Sequence, residues 1–167
     1  MKKIVFAVAI LALVSCGSDD DSTSRSSEKI EITIDNGTPL SYSDNIEAQY
    51  IPLPPTSGFK GYLKINSENG AAQGFQFSLP KTTEEDYPVP YNVTIAHPVL
   101  LNTLFTAQGI DIDYSNPGNS VFISMTQYGA VGQPIVATVT GFYYDSSNVY
   151  HDILIEIDVE RDAFVSP

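Results

Sequence analysis

From Glu28 onward apolar and polar residues alternate with a period of two. Ile30, Ile32 and Ile34 interleave with Glu31, Thr33 and Asp35 and stop at Asn36-Gly37, the pattern of a strand with one face covered and one face wet. Residues 46–53 and 59–66 read as two further strands, separated by Pro52-Leu53-Pro54-Pro55 and Ser57-Gly58. After the Asn69-Gly70 turn signal, Phe75, Phe77 and Leu79 alternate up to Pro80. Lys81 to Tyr91 is acidic and proline-bearing, and reads as a long loop. Val99–Ala107, with Leu100, Leu101, Leu104 and Phe105, is the one candidate helix.

The last third is the most regular. Val121–Tyr128, Pro134–Tyr144 and Val149–Glu160 are three strands joined by short turns. Their composition also predicts a register. Pairing Ile135, Ala137, Val139 and Gly141 with Val159, Ile157, Ile155 and Ile153 sets apolar against apolar, whereas one residue of slip would set Ala137 opposite Glu156. Val121, Ile123 and Met125 then share the buried face. Seven to nine short strands with little or no helix predict an all-β fold, an antiparallel β-sandwich over residues 29–167.

Opposite parity sends Phe122, Phe142, Tyr144 and Tyr150 to the outer face, with Tyr144 across from Tyr150. Large rings are unusual on a face otherwise made of Thr, Ser, Asp and Glu. Either the Lys81–Ala107 segment packs over them, or they form an exposed platform for a sugar ring or a protein partner.

The N-terminus carries an address. Lys2-Lys3 precede the unbroken apolar run Ile4–Val14, which suits a secretory leader and is too short to span a bilayer. Leu13-Val14-Ser15-Cys16-Gly17 resembles the bacterial lipobox. That resemblance implies cleavage after residue 15 and lipidation, palmitate included, of Cys16. The acidic stretch Ser18-Asp19-Asp20-Asp21 resembles the export tether of surface-displayed Bacteroidota lipoproteins, so residues 16–28 read as a lipidated flexible stalk. Phe122 to Gly129, Gly132, Thr138-Val139-Thr140-Gly141 and the closing Asp158-Val159-Glu160-Arg161-Asp162 resemble the C-terminal hairpins of small surface lipoproteins of that type. Gln133 departs from the glycine pair of the family pattern. This likeness implies a sandwich on the outer membrane facing the cell exterior, and brings no catalytic residues with it.

Composition narrows the chemistry. The chain has 167 residues with 20 acidic and 8 basic side chains, and losing Lys2 and Lys3 with the leader leaves a net charge near −14. Such a surface repels nucleic acid. One cysteine permits neither an internal disulfide nor a cysteine-based zinc site. Ser78-Leu79-Pro80-Lys81 and Ser43-Asp44-Asn45 match motifs of penicillin-binding enzymes, but in reversed order and without the third motif. His97 and His151 read as structural. Glu84-Glu85-Asp86 reads as a solvated loop, and Glu156, Asp158 and Glu160 as the wet face of a strand.

Asp111, Asp113 and Ser115 have the spacing that opens a calcium loop. However, Gly118 is misplaced and Phe122 stands where the closing glutamate belongs. A looser calcium site is the one cofactor this spacing allows. The expected function is a non-catalytic binding or accessory module anchored in the membrane through Cys16, with a glycan or surface protein as ligand. The competing readings are a small hydrolase or inhibitor using loop carboxylates, and a purely structural envelope lipoprotein.

Overall fold

The computed structural model describes residues 28–69, 72–84, 86–96 and 105–165. Cys16, Ser18, Asp19, Asp20, Asp21 and His97 lie outside them. Ten strands form two antiparallel sheets packed as a β-sandwich. They are β1 (Lys29–Ile34), β2 (Leu40–Tyr42), β3 (Glu47–Pro52), β4 (Gly61–Asn69), β5 (Ala72–Ser78), β6 (Tyr91–Ile95), β7 (Phe105–Ala107), β8 (Ser120–Tyr128), β9 (Pro134–Tyr144) and β10 (Tyr150–Glu160). The larger sheet runs β2-β1-β10-β9-β8-β6 and the smaller β3-β4-β5-β7. The only helical turn among the described residues is the 3-10 segment Pro55–Ser57.

Strand count exceeds the expected seven to nine because three short edge strands join the sheets. One of them bears on the helix expected over Val99–Ala107, of which residues 99–104 lie outside the described residues and the last three form a strand. Phe105–Ala107 is β7, with Phe105 opposite Phe77 and only 1% exposed. Burying that ring beside the core phenylalanines outweighs a weak helical pattern.

The β9–β10 register is the one that the alternation predicts: Ile135 faces Val159, Ala137 faces Ile157, Val139 faces Ile155 and Gly141 faces Ile153. β1 continues the apolar row, with Ile30 against Ile157 and Ile32 against Ile155. These side chains pack with Leu63, Ile65, Phe75 and Phe77 of the smaller sheet in one hydrophobic cluster. Each fully buried aliphatic or Phe side chain stabilises the fold by about 1.5–3 kcal/mol. Gly141 is a necessity of this layer, since a Cβ there would lie 2.2 Å from the Ser120 carbonyl oxygen.

Two features tie the sheets together beyond the core. A β-bulge between Met125 and Gln127 reverses parity, so Tyr128 pairs with buried Ile135 and turns inward instead of joining Phe122 outside. After β10, Asp162 crosses to the smaller sheet. Its backbone N–H donates to the Ala48 carbonyl (2.8 Å), and its carboxylate accepts the Ala48 N–H (2.7 Å). The closing Arg161-Asp162 pair is therefore a staple between layers.

Candidate functional site

The outward-facing residues at the β9–β10 hairpin end of the larger sheet carry the aromatic rings. Tyr150 is 48% exposed and Phe122 42%, while Phe142 and Tyr144 are half-buried. Tyr144 pairs with Tyr150, and the next outward row sets Asp152 beside Phe142 and Ser120. Phe122 stands one row further in, opposite Thr140. The Phe142 and Tyr150 rings stack at 5.4 Å and 26°, and Tyr144 meets Tyr150 edge-on at 5.8 Å. Such pairs contribute about 0.5–1.5 kcal/mol beyond burial. Phe142, Tyr144 and Tyr150 thus hold one another, with Tyr150 the most open of the three. Of the Lys81–Ala107 segment, β6 lies beside β8 in the same sheet and β7 in the opposite sheet, so neither strand overlies them; residues 85 and 97–104 lie outside the described residues.

Polar groups fix the ledge. The Tyr150 hydroxyl donates to Asp152 Oδ1 at 2.6 Å. That bond to a carboxylate holds the phenol proton and raises its pKa. Tyr144 rests against Gly118, where a Cβ would stand 2.7 Å from the ring. Its backbone N–H donates to Asn119 Oδ1 (2.9 Å), and the Asn119 amide donates to the Asp113 carbonyl (2.8 Å). Asn119 is buried, and these bonds lock the 111–119 loop to the end of β9.

The calcium-type residues take separate roles in that loop. Asp113 Oδ1 accepts both the backbone N–H and the hydroxyl of Ser115, closing a local turn. Asp111 turns away and accepts the backbone N–H and hydroxyl of Ser146 in the β9–β10 loop. The structure brings Asp113 and Ser115 together and directs Asp111 elsewhere. Among the described residues no group of three His, Cys, Asp or Glu side chains is placed to hold a metal.

The opposite face of the same end holds an arrangement that spacing does not reveal. His151 lies between two carboxylates, with Nδ1 2.7 Å from Asp35 Oδ2 and Nε2 3.5 Å from Asp145 Oδ2. Tyr143 stacks on the imidazole at 5.1 Å, and burial pushes its phenol up to about 12. The hydrogen bond to Asp35 raises the His151 pKa, and the same bond lowers that of Asp35. Facing carboxylates on both sides favours an imidazolium that donates from both nitrogens, a form with no lone pair for general-base work. The Ser146 hydroxyl donates to Asp111, not to this ring.

At the far end of the sandwich Arg161 is enclosed. Its guanidinium lies 4.5 Å from the Tyr128 ring centroid, donates to the Gly129 carbonyl (3.0 Å) and pairs with Asp86 (3.1 Å). Asp86 is therefore an ion-pair partner of Arg161, unlike the free solvated carboxylate expected of its loop. Tyr87 anchors that loop, buried among Tyr50, Tyr91 and Tyr128, with its hydroxyl donating to the Pro80 carbonyl at 2.7 Å. Compared with protein-family models, curated proteins and solved structures, the chain matches none.

Proposed function

We propose that this protein is a non-catalytic binding module of the bacterial cell surface, held at the outer membrane by lipid on Cys16, and that its ligand is a glycan. The observation that carries this reading is the ledge of Phe122, Phe142, Tyr144 and Tyr150, two of whose rings are largely open to solvent. A pyranose presents C–H groups on its faces and hydroxyls at its rim. The rings can take the former by stacking, while Asp152, Ser120 and Thr140 beside them can take the latter. The loops behind the ledge are braced by Asn119 and Asp113, so little ordering would be needed on binding. A hydrolase built on the loop carboxylates is less favoured. Asp86 is engaged by Arg161, Asp111 by Ser146 and Asp35 by His151.

Binding of the purified protein to surface polysaccharides, read by affinity electrophoresis, tests the ledge. Tyr150→Ala and Phe122→Ala should each weaken retardation about tenfold, and the double variant more. Retardation unchanged in the double variant would remove the ledge as the site, and binding only to protein ligands would replace the glycan. Mass spectrometry of the membrane form should find a diacylglyceryl-modified Cys16 as the first residue; an unmodified Cys16 sinks the anchor.

A further inference from the structure

The smaller sheet also has an outer face, and it is built differently. Leu63, Ile65, Phe75 and Phe77 point into the core, so Tyr62, Lys64, Gln76 and Ser78 point away from it. Beside β5 the larger sheet's edge strand β6 approaches. The space between holds a cleft of about 840 Å³, walled by Phe59, Tyr62, Leu79, Pro80, Val93 and Ile95. That volume lies within the range of small-molecule sites, about 300–1,000 Å³.

The charge of the cleft is the reverse of the molecule's. The protein carries 20 acids against 8 bases. Yet the charged side chains that line the cleft among the described residues are Lys64 and Lys81, with no carboxylate beside them. Neither ammonium is ion-paired among the described residues. Lys64 stands opposite Ser78 in the β4–β5 ladder, and Lys81 follows β5 three residues later. Elsewhere Lys29 meets Glu31 and Arg161 meets Asp86. An apolar slot edged by two ammonium groups that have no carboxylate partner among the described residues is complementary to a molecule with a hydrocarbon body and one anionic end.

We infer that the cleft binds a single-chain anionic amphiphile, its tail against Phe59, Val93 and Ile95 and its head group paired with Lys64 and Lys81. The site lies on a different sheet face from the aromatic ledge, so either can fail without the other.

The test uses the full chain carrying Cys16→Ser, so that no acyl anchor of its own contributes. Sodium laurate and 1-dodecanol each compete with a dansylated undecanoate read by fluorescence. Laurate should displace the probe at micromolar concentration and dodecanol about tenfold less well. Lys64→Gln with Lys81→Gln should weaken laurate about tenfold and leave dodecanol unchanged. Phe59→Ser, at an exposed position, should weaken both. Equal displacement by the two compounds, laurate binding unaltered in the double lysine variant, or no displacement at millimolar laurate would overturn the proposal. Vesicles of phosphatidylcholine with and without phosphatidylglycerol separate the sources. Cosedimentation that needs phosphatidylglycerol and both lysines assigns the head group to a bilayer lipid, and laurate binding without cosedimentation assigns it to a free acid.

Discussion

Each end of the sandwich holds a cation between fixed partners, and the two are built from different chemistry. At the hairpin end, His151 is gripped by Asp35, whose side chain is half exposed at 51%, and by Asp145, which is mostly covered with 20% of its side chain exposed. At the other end, Arg161 is withdrawn against Tyr128, with only 13% of its side chain exposed. An imidazolium can be discharged near neutral pH, while a guanidinium stays charged throughout the range in which proteins fold. The first clamp is conditional on pH and the second is permanent. The difference teaches that the permanent clamp secures the two sheets, and the conditional one secures only turns.

That contrast is open to test, beginning with the larger effect. Arg161→Met removes a cation–π contact and a charge-assisted hydrogen bond. It should lower unfolding free energy by about 2–3 kcal/mol, read from the urea midpoint and unchanged across neutrality, where guanidinium and carboxylate both stay charged. Arg161→Lys should recover only part, because an ammonium lacks the planar fork that reaches Gly129 while lying over a ring.

His151→Gln should cost less and act through pH. Asp35 raises the His151 pKa, so this contact stabilises fully below the free value of about 6.5 and is lost as pH rises through the folded value. The lowered pKa values of Asp35 and Asp145 have the opposite sense. Their contribution is present above about 3.9 and disappears as pH falls through the lowered values. The clamp is complete between about pH 4 and about pH 6.5, so the wild-type midpoint should fall as pH rises above about 6.5. Gln at 151 should flatten that slope. A slope retained in His151→Gln would put the titration elsewhere.

Smallest of all, Tyr150→Ala should lower stability by about 1 kcal/mol, the loss of two ring contacts at a half-open position. A loss of several kcal/mol would mark the ledge as a part of the fold instead of a surface for a ligand.

The C-terminal hairpin was legible because β9 and β10 are long and strictly alternating. Isoleucines at 153, 155 and 157 leave one register that keeps carboxylates wet. The ring ledge follows from the same parity. Legibility ended at β2, β6 and β7, three to five residues each, where pairing depends on what lies alongside and not on the segment's own pattern. It ended also at the bulge after Met125, which sends Tyr128 inward against its parity. The His151 clamp joins residues 116 positions apart, and no local motif encodes such a meeting. No local pattern singles out Lys64 and Lys81, because a charge beside an apolar wall is visible only once the wall exists.

The β1–β10 pairing has a mechanical consequence. The chain enters β1 at Lys29, opposite Asp158, whereas the ledge stands at Tyr150, the other end of β10. On the function proposed above, a tether leaving residue 28 and a ligand gripping Tyr150 would pull the two antiparallel strands lengthwise past each other. Their hydrogen bonds lie across that direction, so the six residue pairs from Lys29–Asp158 to Ile34–Ile153 share the load together instead of opening one by one. On that proposal, this wiring would let a marginally stable domain hold on to something that moves.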